Sequence, residues 1–161
     1  MAASGGLRAE SLHVRYPGAG ADAVDGIDVA LHRGALTVIV GPNGCGKSTL
    51  LRAVGRILRP RDGQVTLDGR ALAEHGPREF ARPVSFLPQS ASALGPMTVA
   101  DLISRGRFPP HQGLLRQWSS ADERAVLSAM ERTKVAGLAA REVATHSSGQ
   151  RQRVWIAMVL A

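Results

Sequence analysis

Residues 41–49 read GPNGCGKST, and their types and spacing set out one chemistry. The stretch fits G-x-x-x-x-G-K-[ST] through Gly41, Gly46, Lys47 and Ser48. Glycines let successive backbone N–H groups curl around a phosphate. A helix that follows aims its positive end at the same anion. Lys47 reaches the β- and γ-phosphates, and the Ser48 hydroxyl is a ligand for Mg²⁺. Pro42, Asn43, Gly44, Cys45 and Thr49 complete the loop. The stretch implies a nucleoside triphosphate with Mg²⁺ beside it. Cys45 is a small residue that fits inside the loop, and alkylation there is expected to block nucleotide. As the chain's one cysteine it excludes an internal disulfide and a Cys-rich zinc site. The histidines (13, 32, 75, 111 and 146) lack metal-ligand spacing and read as surface or helix-end residues.

Elements on both sides must hold this loop in place. ALTVIVG (35–41) is continuously apolar and β-branched, the pattern of a strand covered on both faces. LLRAVGRIL follows with a helical pattern. SLHVRYPG alternates, with Leu12, Val14 and Tyr16 on one face and His13 and Arg15 on the other, before a Pro-Gly turn. DGIDVALHRG repeats the alternation through Ile27, Val29 and Leu31, and GQVTLDGR is a further short strand. PVSFLPQ (83–89) reads as an apolar strand ending at Gln89. The texture then turns helical. Thr98 and Asp101 have capping-box spacing, with Met97 and Leu102 placed as a hydrophobic staple. Ser120 and Glu123 stand in the same relation ahead of an apolar face of Val126, Leu127 and Met130. Ser147 and Gln150 repeat that spacing at the head of a last helix.

Composition sets the outer bounds. The 161 residues suffice for one domain with a real core, and 44% of them are hydrophobic. No run reaches the roughly 18 apolar residues of a membrane span. MAASGGLRAES has no apolar h-region, so no secretory signal is read and the cytoplasm is the expected address. The net charge is +7, and 18 of the 20 basic residues are arginine. They are spread along the chain rather than gathered in a stripe, which favours a composition bias over a nucleic-acid footprint. Six aromatic residues leave little for base stacking.

From Tyr16 to Ala161 the sequence resembles the ATP-binding subunit of ABC transporters. The resemblance rests on GPNGCGKST, on FLPQ ending at Gln89, and on HSSGQRQR. It implies an α/β P-loop NTPase of RecA-like type, an ABC nucleotide-binding domain. An N-terminal antiparallel β part with P-loop and Q-loop would occupy 1–91, a helical subdomain 92–145 and the signature helix 146–161. Tyr16 falls where the family stacks an aromatic on adenine. Gln89 matches the Q-loop glutamine, which touches Mg²⁺ and the attacking water and couples the site to the membrane subunit. Lys47 and Gln89 are thus the residues expected to act in hydrolysis. Ser147, Gly149 and Gln150 match the signature usually written LSGGQ. His146 stands for its Leu, and Ser148 for its first Gly, where the backbone nears phosphate. In the family this helix end binds the γ-phosphate held by the partner subunit, so a homodimer is implied.

TVADLISRGRFPPHQGLLRQWSSADERAVLSAM and GQRQRVWIAMVLA resemble ATPases of iron-siderophore importers of the ferric enterobactin type. That implies membrane permease subunits as partners, no direct nucleic acid, and a peripheral place on the cytoplasmic face of the membrane. After the signature helix the family continues into an apolar strand ending Asp-Glu and, further on, a histidine. The sequence is therefore expected to be incomplete at its C-terminus. Loss of the general base alone lowers turnover by roughly 10²–10⁴-fold. An unpaired apolar strand would make the isolated chain poorly soluble and a weak nucleotide binder. Two further readings remain: a non-hydrolysing nucleotide- or permease-binding remnant, and an ABC-type ATPase acting on nucleic acid.

Overall fold

The computed structural model describes residues 5–88, 95–107 and 118–161. They fall into two compact units, one ending at Phe80 and the other beginning at Ala81.

The first unit is built on β1 (Gly6–Val14), β2 (Val24–His32), β3 (Asp62–Leu67) and β4 (Arg70–Ala71), in the antiparallel order β2-β1-β3-β4. In the register, Leu7 faces Leu31 on one side and Leu67 on the other. The alternation read from the sequence holds in β1, where Leu12 and Val14 are buried and His13 is half-buried. Ala9 is buried as well, although it stands an odd number of residues from Leu12. The ladder shifts register between them, at Ser11 with φ 46°. One extra residue in a strand turns the next side chain to the opposite face, so both residues point into the core. α1 (Lys47–Val54) lies against β1 and buries Leu50, Ala53 and Val54. α2 (Pro77–Ala81) buries Phe80. β2 is the sheet edge, and its expected inner face is only partly covered: Val29 and Leu31 are half-buried and Ile27 is exposed.

The run ALTVIVG departs from expectation. Residues 35–40 join no ladder, and Leu36, Val38 and Val40 are 91%, 68% and 83% exposed. A β-branched run prefers a pleated, half-buried surface, and that preference is realised only against a paired neighbour. Among the described residues none pairs with it. Residues 84–88 likewise form no strand, and Leu87 is exposed. Gln89 lies outside the described residues.

The second unit contains α3 (Val99–Ser104), a 3₁₀ turn over Arg105–Arg107, α4 (Ser120–Arg132) and α5 (Ser148–Leu160). Val99, Leu102 and Ile103 of α3 pack with Val126 and Met130 of α4 and with Val154 and Ala157 of α5. Thr98 and Asp101 form the expected capping box, and Met97 packs against the cluster that holds Leu102. The α4 cap sits one residue earlier than the sequence spacing suggested. Ser119 is the cap and Asp122 its partner, while Ser120 and Glu123 are exposed. Both pairs satisfy the same spacing, and the tie is broken from outside the helix. Asp122 is 1% exposed and accepts from Arg107 Nε at 3.0 Å. Arg107 also donates to the Ala161 carbonyl at 2.6 Å, so one guanidinium joins the turn after α3, the cap of α4 and the end of α5. Leu127, expected on the apolar face, is 50% exposed. His75 and His146 are buried rather than on the surface. None of the helices among the described residues is long and apolar enough to cross a membrane.

Candidate functional site

In the first unit, the loop of residues 41–46 runs into α1 with Gly46 at the N-cap. Gly46 has φ 90°, and a Cβ there would stand 2.2 Å from the Ala23 carbonyl oxygen. Only glycine meets both conditions, the left-handed backbone and the close approach of a second chain segment. The first helical hydrogen bond runs from the Leu50 N–H to the Gly46 carbonyl at 2.8 Å. The N–H groups of Lys47, Ser48 and Thr49 thus lie ahead of the helical ladder, at the positive end of the helix dipole. No acidic residue occupies that first turn.

Lys47 folds back over the loop. Its ammonium donates to the Gly41 carbonyl at 2.8 Å and the Pro42 carbonyl at 2.6 Å, with Cys45 Sγ at 3.7 Å. The cation is held at the mouth of the loop, where it can pair with phosphate oxygens. Gly41, Pro42, Asn43, Gly44, Cys45 and Ser48 are exposed. The Ser48 hydroxyl, next to the ammonium in sequence and open to solvent, is of the hard oxygen type that suits Mg²⁺.

Tyr16 follows β1 and reaches the same helix. Its hydroxyl is 3.2 Å from Thr49 Oγ1, and Arg52 donates to it at 3.4 Å. The bond to Thr49, and then that to Arg52, lower the phenol below its ordinary pKa. Thr49 is buried. Tyr16 and residues 41–49 are therefore brought together by the fold.

The loop that carries Tyr16 is tied down by Asp22, whose side chain is 7% exposed. One carboxylate oxygen accepts from Arg15 Nε at 2.7 Å and the other from Arg61 at 2.8 Å. The Arg15 bond, followed by the Arg61 bond, holds this carboxyl below its usual range. His13 Nδ1 lies 2.9 Å from Asp25 and 3.4 Å from Asp22. These three residues place possible metal-ligand atoms within 4.8 Å of one another. Both guanidinium groups pair with Asp22, so its two oxygens are already taken, while Asp25 is 80% exposed beside the His13 ring.

Ser147, Gly149 and Gln150 belong to the second unit. The Ser147 Oγ accepts from the Gln150 N–H at 3.3 Å, and Gln150 Oε1 accepts from the Ser147 N–H at 3.1 Å, completing the expected capping box. Ser147, Ser148 and Gly149 are exposed, and α5 has no acid in its first turn. Arg151 donates to the His146 carbonyl, which fixes the chain entering the helix. His146 is 4% exposed, and its Nε2 has no hydrogen-bond partner among the described residues.

Nothing in the sequence singles out Asp22, Arg52 or the Tyr16–Thr49 bond. Asp22 sits among small residues in GAGADAVDG, and no period or motif links it to Arg61, 39 positions away.

A family model described as ABC transporter matches residues 24–161. The chain belongs to the ABC transporter family. Among relatives of this ABC chain, the ferric enterobactin transport ATP-binding protein FepC of Escherichia coli is 45% identical over 155 residues, covering 96% of this chain and 56% of FepC. The petrobactin import ATP-binding protein FpuD of Bacillus anthracis is 42% identical over 138 residues, covering 86% of this chain and 50% of FpuD. A nucleotide-free ATP-binding cassette from an ABC transporter superposes with a TM-score of 0.79 at 25% identity, over 97% of this chain and 64% of that one. The ABC chain spans about half the length of the curated relatives it matches. The α/β P-loop fold expected from the sequence is the fold found.

Proposed function

We propose that this chain is the nucleotide-binding part of an ATPase subunit that powers an ABC importer of iron-siderophore complexes. The observation that carries the reading is the loop at 41–49, where N–H groups ahead of the helical ladder, a tethered lysine and an exposed serine come together at a helix start. Backbone N–H groups of the loop, Pro42 excepted, and of the first turn of α1 cradle the phosphates, and the Lys47 ammonium neutralises the β- and γ-oxygens. Ser48, and Gln89 by its match to the Q-loop, would hold Mg²⁺, and the ion would supply positive charge to neutralise the phosphate chain. Tyr16 stacks on adenine. Ser147, Gly149 and Gln150 close on the γ-phosphate bound by a second copy, so two cassettes sandwich the nucleotide. Gln89 orients the attacking water and relays the event to a permease, with the subunit at the cytoplasmic face of the membrane. The siderophore assignment draws on the names of FepC and FpuD.

The test is uptake of radio-iron as a ferric siderophore by cells carrying the gene with Lys47→Ala, alongside ATP binding by the purified protein. Loss of both uptake and binding is expected. Normal uptake by the Lys47→Ala cells would overturn the reading.

A further inference from the structure

The segment between β1 and β2, residues 15–23, touches the phosphate-binding loop at two points. At one end the Tyr16 hydroxyl meets Thr49 Oγ1 at 3.2 Å. At the other, the Ala23 carbonyl lies against Gly46, so closely that a Cβ on Gly46 would be 2.2 Å from it. The segment closes on itself through Ala19 N–H to the Tyr16 carbonyl at 3.0 Å and Ala23 N–H to the Val14 carbonyl at 2.8 Å. Between the two contact points stands Asp22, adjacent to Ala23, with its side chain 7% exposed and its oxygens divided between Arg15 and Arg61. Arg15 immediately precedes Tyr16, and Arg61 leads into β3. A single carboxylate thus joins the residue before the aromatic ring, the residue before the carbonyl at Gly46, and the frame of the sheet. A desolvated carboxylate holds its place only while charged donors surround it.

We infer that Asp22 is a positioning residue for nucleotide recognition: by pinning residues 15–23 through Arg15 and Arg61, it holds the Tyr16 ring in register with the phosphate-binding loop. The inference rests on the proposed stacking of Tyr16 on adenine and extends it to the residues that fix the ring. Phosphate contacts come from the loop and α1. The base contact depends on a ring whose backbone is tied by Asp22. The two parts of the affinity are therefore separable by mutation.

The experiment compares ATP with inorganic tripolyphosphate, which has the phosphates and no base, in equilibrium titrations of the purified protein. Asp22→Asn should weaken ATP by about 5- to 150-fold, the range of one base–aromatic stack, while tripolyphosphate changes less than about twofold. Tyr16→Ala should produce the same pattern, and the double variant should add nothing to either single change, as coupled residues do. Arg61→Gln removes one donor and leaves Arg15, so it should give a smaller loss of the same kind. It serves if Asp22→Asn fails to fold. Equal losses for ATP and tripolyphosphate, or additive effects of Asp22→Asn and Tyr16→Ala, would overturn the inference while leaving the stacking reading intact. If Tyr16→Ala leaves the ratio of the two affinities unchanged, the stacking reading falls and this inference falls with it.

Discussion

Gly46→Ala is the sharpest test of the loop geometry, because two costs can be worked out separately. The residue has φ 90° and ψ 1°. Placing an L side chain in that left-handed conformation costs about 1–2 kcal/mol. The new Cβ would also stand 2.2 Å from the Ala23 carbonyl oxygen. Ordinary carbon–oxygen contact requires a retreat of about 1 Å, and such overpacking typically costs about 1–3 kcal/mol. Together the expected penalty is about 2–5 kcal/mol, and it must appear in one of two places. If the loop keeps its shape, stability falls by that amount. If the loop deforms to relieve the clash, the N–H groups lose their aim, and ATP affinity falls by about 30-fold or more. Gly44→Ala is the matched control. It too has positive φ, at 82°, but nothing lies within 4 Å of its added Cβ. Only the conformational cost of about 1–2 kcal/mol applies there. Denaturant melts and ATP titrations on the same samples read both quantities. If the summed change for Gly46→Ala stays within about 0.5 kcal/mol of wild type, or does not exceed that for Gly44→Ala, the reasoning is refuted.

Other expectations follow from the same structure. Ser119→Ala should cost about 1 kcal/mol as a lost cap, whereas Ser120→Ala should stay within about 0.5 kcal/mol; thermal melts that rank them the other way would return the cap to Ser120. Leu12→Ala, at a fully buried site, should cost about 2–5 kcal/mol, while Leu36→Ser in this 161-residue chain should be close to neutral, since Leu36 is already 91% exposed. A thiol-directed maleimide should react with the exposed Cys45 and abolish ATP binding, and saturating ATP should slow the reaction; equal rates with and without ATP would place the nucleotide elsewhere. Stability should fall in acid. The bond from Arg33, with help from the Gly6 N–H, lowers Asp68 to about 2. The Ser119 hydroxyl first, then the Ser119 N–H and Arg107, hold Asp122 well below the usual carboxylate range. Each depressed carboxyl contributes stability that is present above its unfolded pKa and lost as pH falls through its folded value. Denaturant midpoints should therefore decline from about pH 4 downward, and Asp68→Asn should flatten part of that decline.

The sequence by itself determined whatever is carried by neighbours along the chain. GPNGCGKST defines its loop because left-handed glycines, a lysine and a helix start are local properties. The Thr98–Asp101 and Ser147–Gln150 boxes were legible for the same reason: both partners lie within one helical turn. The alternation of Leu12 and Val14 gave the inner face of β1. Where two local solutions were equally good, the tertiary structure chose. Ser119–Asp122 and Ser120–Glu123 share one spacing, and the ion pair with Arg107, 15 residues away, selects the first. The run at 35–40 shows the complementary limit. Its residues favour an extended, covered strand, yet strand and cover are supplied by other segments, and without a ladder Leu36, Val38 and Val40 stay in solvent. Asp22 had no signature at all, because its partners reach it from the end of β1 and from the approach to β3. A charge becomes a fastening point only when folding removes its water and brings its counterions, and that is decided by the fold alone.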